Sequence, residues 1–290
     1  MSSPTVEVIR ALPRLSARAG AANKGDFGRV LVAAGSRGMS GAAVLCASAA
    51  LRGGAGLVRV AVPQETQPIV AAGNPCYMTT PFAQDEQGRF DPLAAPALLE
   101  LIQANSVAAI GPGLGQGAGV TQLVLALLDG ARQPIVLDAD GLNAVRHAPE
   151  RLKQRAAPLI LTPHPGEFAR LVGVDVPTVQ AQRQPLAVRF AAEHGVVVVL
   201  KGQGTIVTDG RRIFVNKTGN PGMATGGTGD VLTGLIAALV GQGLEPFAAA
   251  QLGVHWHGLA GDFARDEFGE VSLIASDLLT CLPKAIRTTG

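Results

Sequence analysis

Short β-branched runs alternating with longer Ala/Leu-rich stretches predict an α/β fold with a mostly parallel central sheet, and two further observations support it. The candidate strands 29–33 (RVLVA), 57–62 (LVRVAV), 107–110 (VAAI), 135–137 (IVL), 159–161 (LIL) and 196–200 (VVVVL) are apolar almost throughout, as parallel strands covered on both faces are. Glycine contributes 37 of 290 residues, well above the usual share and without a G-X-Y period, so the chain turns tightly between many elements.

In chain order, residues 1–24 carry no apolar signal core and are expected to form an N-terminal extension or helix. The first strand ends at Gly35-Ser36, and helix 41–51 follows with Ser40 placed as its N-cap. After the second strand, 73–92 reads as a long loop. Strand 107–110 runs into Gly111-Pro112-Gly113-Leu114-Gly115 and helix 120–128. Strand 135–137 gives way to Asp138-Ala139-Asp140-Gly141, and strand 159–161 to Thr162-Pro163-His164-Pro165-Gly166-Glu167. Helices 166–171 and 178–194 precede the strand ending in Lys201-Gly202. A hairpin turns at Asp209-Gly210 between 205–208 and 212–216. Helices 230–240, 246–266 and 275–287 close the chain. No linker or repeat divides it, so one domain is expected over 1–290.

The net charge of +2 gives no electrostatic basis for nucleic-acid or acidic-membrane binding. No apolar run approaches the ~18 residues of a membrane span. The three cysteines, Cys46, Cys76 and Cys281, follow no disulfide or zinc spacing, which points to a reducing, cytoplasmic setting and no structural metal.

In an open parallel sheet, ligands bind beyond the carboxyl ends of the strands. Those tips are rich in glycine, aspartate, histidine and lysine. The strongest constellation is Asn220-Pro-Gly-Met-Ala-Thr-Gly226-Gly227-Thr228-Gly229-Asp230, opening directly into a helix. Several N–H groups and the positive helix end converge there, an anion hole suited to a phosphoryl group in transfer. Asp230 is either the cap of that helix or a base taking a proton from an attacking hydroxyl. Lys201-Gly202-Gln203-Gly204-Thr205 sits at a strand mouth, where its lysine either meets nucleotide phosphates or is merely solvated. Asp138 and Asp140 flank one residue of extended chain and so do not share a proton; one of them is a candidate water-mediated Mg²⁺ contact or a helix cap. His164 is confined between two prolines, an arrangement that aims its ring. His255 and His257 lie two apart on a helix and read as packing or interface residues. The run 113–118 fits G-x-G-x-x-A, so a dinucleotide-dependent dehydrogenase remains a competing reading.

The segments GDFGRVLVAAGSRGMSGAA (25–43), IGPGLG (110–115), VLDADGLN (136–143), LTPHPGEFARL (161–171), KGQGT (201–205) and NPGMATGGTGDVLTG (220–234) together resemble the ADP/ATP-dependent NAD(P)H-hydrate dehydratases of the ribokinase-like superfamily. The resemblance implies a three-layer α/β/α sandwich. It also implies repair chemistry, in which the (6S) hydrate of NADH or NADPH is returned to NAD(P)H at the expense of ADP, giving AMP and phosphate, or of ATP, with Mg²⁺. The hydrate-binding positions implied are Ala42, Gly113, His164 and Asp230. The adenine-nucleotide positions are Lys201, Gly202, Gln203, Gly204, Thr205, Asn220, Gly226, Gly227, Thr228 and Gly229. Met39 stands where relatives often carry an aromatic residue. A homotetramer is implied as well, and the epimerase domain that many relatives carry N-terminally is expected to be a separate protein here. Within the same fold, the rival is an ATP-dependent kinase of a small alcohol such as a hydroxymethyl-pyrimidine or thiazole. A silent nucleotide sensor is the rival outside catalysis.

Overall fold

The computed structural model describes residues 6–289. Its strands are β1 (Glu7–Val8), β2 (Arg29–Ala33), β3 (Leu57–Pro63), β4 (Met78–Phe82), β5 (Val107–Ile110), β6 (Ile135–Leu137), β7 (Leu159–Leu161), β8 (Val197–Leu200), β9 (Ile206–Thr208) and β10 (Arg212–Val215). They form one sheet in the order β1-β10-β9-β8-β7-β6-β5-β2-β3-β4. The run from β8 to β4 is parallel, and only β9 pairs antiparallel with its neighbours, β8 and β10.

Side chains alternate across each strand, and this alternation builds two cores. Val30, Val32, Val60, Ala109, Val136 and Val199 point to a layer made of α1 (Ser40–Arg52), α2 (Gln67–Gly73), α9 (Thr228–Gly241), α10 (Pro246–Phe268) and α11 (Ala275–Thr289). Leu31, Ile110, Leu137, Leu161 and Leu200 point to the other face. There they meet α3 (Ala95–Gln103), α4 (Ala118–Gly130), α5 (Asp140–Val145), α6 (Pro165–Val172), α7 (Val176–Ala181) and α8 (Arg183–His194). The result is the expected three-layer sandwich. In the first layer α1 and α9 cross almost backbone to backbone: a Cβ placed on Gly234 would lie 1.9 Å from the Cys46 carbonyl oxygen.

Of the two alternatives for the N-terminal segment, the described residues show the extension and not the helix: 6–22 contain strand β1 and no helix; residues 1–5 lie outside the described residues. Three expectations need correction. The expected loop 73–92 contains β4, an edge strand whose Pro81 needs no ladder partner on its outer side. The expected helix 178–194 divides at Gln182, because Pro185 has no N–H and its ring would strike the Ala181 carbonyl in a continuous helix. Ser40 is the first residue of α1, and Met39 occupies the cap position without a side-chain bond.

Candidate active site

Strand order places the chemistry. After β2 the chain returns through α1 to β3, whereas after β5 it returns through α4 to β6 on the opposite side, so β2 and β5 are neighbours whose connections diverge. A switch of this kind opens a crevice at the carboxyl ends. Its floor is tied by the Gly35 N–H donating to the Pro112 carbonyl (2.8 Å) and the Ser36 hydroxyl donating to the Gly113 carbonyl (2.8 Å). Gly113 adopts φ +63°, and a Cβ there would be 2.9 Å from Ala42 Cβ. Ala42 and Gly113 therefore form one wall. Arg89, paired with Asp85 at 2.6 Å, donates to the Gln116 carbonyl and braces the same turn.

Two strands away, His164 caps α6. Its Nδ1 accepts from the Gly166 N–H (3.0 Å) and the Glu167 N–H (3.4 Å), while Glu167 Oε2 accepts from the His164 N–H (2.8 Å). This capping box fixes the tautomer, leaving Nε2–H as the donor, on a ring that is half exposed. Burial lowers the His164 pKa, with Lys201 and Arg170 adding to the effect, so the ring is neutral.

Strand alternation turns Asp138 and Lys201 to the same face as Val136 and Val199, toward α9. Asp138 is 1% exposed; its Oδ1 accepts from Lys201 Nζ (2.9 Å) and its Oδ2 from the Thr233 hydroxyl (2.8 Å). Lys201 is thus not a solvated lysine. Its ammonium also lies 3.9 Å from Glu167 Oε2 and 3.1 Å from where a Cβ on Gly229 would stand. The backbone then kinks at Ala139 (φ 48°), the one non-glycine residue with positive φ among those described. The kink sends Asp140 the other way, where Oδ2 accepts from the Gly115 N–H (2.9 Å) and Oδ1 from Asn143 (3.3 Å). Neither acid caps α5 through its side chain. With Asp138 committed to Lys201 and Thr233, it is not free to hold a ribose, and the dehydrogenase reading loses its acid.

The glycine-rich segment forms the start of α9. Gly227 is its cap at φ 93°, and Asp230 is its third residue, so Asp230 is not the cap. Nothing stands within 4 Å of a Cβ on Gly226, and a Cβ on Gly227 would be 4.0 Å from Asp230 Oδ2. Asn220 caps the short turn Pro221–Met223, accepting from the Gly222 N–H (3.1 Å) and donating to Asp262 (3.1 Å). The Thr228 hydroxyl donates to the carbonyls of Met223 and Thr225 (both 3.1 Å), which folds the loop back on itself. His257 donates from Nε2 to the Thr228 carbonyl (2.8 Å), and burial pushes its pKa down to about 4. To the packing or interface role the sequence implied, the structure adds this bond to the start of α9.

Among the described residues no donor holds the Asp230 carboxylate. Burial, then the charge of Asp138, pushes its pKa up to about 7 against the pull of Lys201, with Asp140 and Glu167 adding to the rise. At the mouth of β8, Arg183 donates to the carbonyls of Leu200 (3.0 Å) and Lys201 (3.1 Å), and the Thr205 hydroxyl donates to the Gly202 carbonyl (2.9 Å). Gly202, Gln203 and Gly204 lie in this turn, with φ +119° at Gly202 and +62° at Gly204. Sequence reasoning placed Ser36 at a strand tip without giving it a role, and passed over Thr233 and Arg89 because each sits inside an ordinary helix or loop pattern. Two concavities of about 660 and 610 Å³ lie elsewhere, lined respectively by residues such as Arg18 and Trp256 and by residues such as Ala192 and Arg212. Neither includes any residue of this rim.

A parallel sheet in this order, with a glycine-rich helix start and an acid at its third residue, defines a ribokinase-like nucleotide-handling enzyme. Within that class the chain belongs to the NAD(P)H-hydrate dehydratase family, whose profile matches residues 30–284. It is 41% identical over 268 residues to the ADP-dependent (S)-NAD(P)H-hydrate dehydratase of Neisseria meningitidis, covering 91% of this chain and 84% of that one. It is 45% identical over 278 residues to a bifunctional NAD(P)H-hydrate repair enzyme of Moorella thermoacetica, covering 95% of this chain and 52% of that protein. The chain thus spans about half the length of the bifunctional relatives. The structure of the Bacillus subtilis ADP/ATP-dependent NAD(P)H-hydrate dehydratase co-crystallised with ATP and Mg²⁺ superposes with a TM-score of 0.81 at 32% identity over 95% of each chain.

Proposed function

We propose that this chain dehydrates the (6S) hydrate of NADH and NADPH, coupling the loss of water to cleavage of ADP into AMP and phosphate. The observation that carries this is Asp230, whose carboxylate meets no donor among the described residues and which burial and the charge of Asp138 raise to about 7. It lies one residue beyond the Gly226–Gly229 turn and on the layer that supplies Ala42. Hydroxide is a poor leaving group. With the terminal phosphate at the start of α9, Asp230 takes the proton of the hydrate hydroxyl as that oxygen attacks phosphorus and the P–O bond to AMP breaks. Phosphate then departs with the C–O electron pair, and loss of a proton from the adjacent carbon restores the ring double bond. Lys201 and the N–H groups of Gly226–Gly229 offset the charge that builds on the transferred group. His164, on a half-exposed ring whose Nε2 lies 3.4 Å from Glu167 Oε1, and the Ala42–Gly113 wall hold the hydrate. Lys201 to Thr205 and Asn220 to Gly229 hold the nucleotide.

The chain offers Mg²⁺ no cage of its own: Asp138 and Asp140 have both oxygens engaged, and no group of three metal-binding side chains occurs among the described residues. Mg²⁺ would be held chiefly by the phosphates of the nucleotide and by water, and would there neutralise phosphate charge.

No helix among the described residues is long and apolar enough to cross a membrane. A cytoplasmic homotetramer working alongside an NAD(P)H-hydrate epimerase activity completes this reading. The bifunctional relatives, each about twice the length of the match, support that pairing. The small-alcohol kinase would use the same base, but the family match favours the dehydratase.

The test is absorbance at 340 nm after mixing the protein with hydrated NADH, Mg²⁺ and ADP, then with ATP in place of ADP. A nucleotide-dependent rise is expected. A flat trace with folded protein and verified hydrate refutes the proposal.

A further inference from the structure

We infer that Asp138 is a positioning residue for Asp230: its buried carboxylate anchors the Lys201 ammonium over the start of α9 and, through the Thr233 hydroxyl, clamps the helix face that carries the base. This rests on the reading of Asp230 as the base and adds a residue to it.

Asp138 is 1% exposed, which shields its charge from bulk solvent. A buried carboxylate persists only when it is paired and hydrogen-bonded, and here it has one partner of each kind, Lys201 Nζ at 2.9 Å and Thr233 Oγ1 at 2.8 Å. The two partners come from different elements. Lys201 ends β8, whereas Thr233 lies three residues beyond Asp230 on α9, on the same helix face. A Cβ on Gly229 would stand 3.1 Å from Lys201 Nζ and 3.8 Å from Asp138 Oδ2, so the carboxylate and the ammonium both lie against the first turn of α9. The pair does two things at once. It keeps one positive charge beside the phosphate hole, and it sets a buried negative charge behind the base.

The charged and titratable groups facing Asp230 come from every element around it. They are Asp138 beyond β6, Asp140 on α5, Glu167 on α6, Lys201 beyond β8 and Cys46 on α1. His257 on α10 reaches the same helix turn through the Thr228 carbonyl. Glu167 is itself shifted upward, first by burial, and His257 is neutral. Burial raises Asp230 first; among the charges around it, Asp138 pushes hardest upward and Lys201 opposes it. Removing Asp138 withdraws a repelling charge and frees Lys201 toward Asp230, so the base becomes more acidic. Removing Lys201 has the opposite sign. A simple loss of packing would produce no such opposition.

The experiment is a ¹³C NMR titration of aspartate side-chain carboxyls in the full chain, with the Asp230 resonance assigned by Asp230→Asn. It is run on the parent protein, Asp138→Asn and Lys201→Gln. The Asp230 midpoint is expected to fall by about one pH unit in Asp138→Asn and to rise by a similar amount in Lys201→Gln. Thr233→Val, which keeps the charge and the volume, is expected to lower kcat several-fold while leaving the midpoint in place. An unmoved midpoint in folded Asp138→Asn overturns the inference. If that variant does not fold, a midpoint that fails to rise in Lys201→Gln overturns it. The titration needs no turnover, so a failure of the dehydratase reading in the 340 nm assay is a separate result.

Discussion

Substituting Gly234 by alanine tests whether the α1–α9 crossing holds the two halves of the site in register. The new methyl would lie 1.9 Å from the Cys46 carbonyl oxygen and 2.8 Å from its carbon. Both are backbone atoms, which no rotamer change relieves, so the helices must separate by more than an ångström. Overpacking of this severity costs about 3 kcal/mol, and replacing glycine in a helix interior returns about 1 kcal/mol, leaving a net loss of roughly 2 kcal/mol. Spread over the unfolding entropy of a chain this long, that lowers Tm by about 3 °C. The catalytic consequence is larger, because α1 carries Ala42 and α9 carries Asp230. A shift of about 1 Å between hydrate and base lowers kcat on the order of 100-fold. Differential scanning calorimetry and the 340 nm assay read the two effects on the same sample. A variant that melts above the parent and turns over normally would refute the crossing as described and the role given to it.

Asp230→Asn keeps fold and nucleotide binding but loses kcat by two orders of magnitude or more, since geometry survives without the base; calorimetric nucleotide titration and turnover separate the two. The base acts when deprotonated and titrates at about 7, so kcat/KM should fall about tenfold per pH unit well below 7 and level off above 8. A limb near 4 would remove Asp230 from that role. His164→Ala removes both the cap and the Nε2–H donor: the KM for the hydrate rises while nucleotide affinity stays, with about 1 kcal/mol lost in thermal unfolding. Gly226→Ala meets open space and needs no positive φ, so it melts like the parent but binds nucleotide more weakly by calorimetry, because its methyl fills the phosphate hole.

Much of the sheet is legible in the sequence because both-face burial writes it plainly. Strands such as 107–110 and 135–137 are wholly apolar, and glycine or aspartate marks where each ends. The site tips follow from the same fact, since a parallel sheet gathers its carboxyl ends along one edge. Strand β4 is hidden because MTTPF, at an edge, needs neither full apolarity nor a free N–H at Pro81. The break between α7 and α8 is overlooked because Pro185 lies within an otherwise helical run. The partnership of Asp138 with Lys201 and Thr233 spans 63 and 95 residues, and no local pattern records a contact of that range. The motif around Asp230 shows where the acid lies but not that its carboxylate is free, which depends on groups drawn from five other elements.

The rim draws on both layers. Ala42 and Asp230 ride on helices seated against Val32, Val60 and Val136, whereas His164 and Glu167 ride on a helix seated against Leu137 and Leu161. The two cores share no side chain, since the sheet stands between them as a wall. The strands are therefore the common datum from which both reactants are measured. A slide of either layer along that datum would carry one reactant away from the other while leaving every strand and helix intact. Activity in such a molecule should be lost to small misalignments long before the chain unfolds, and repacking either core far from the rim should detune it.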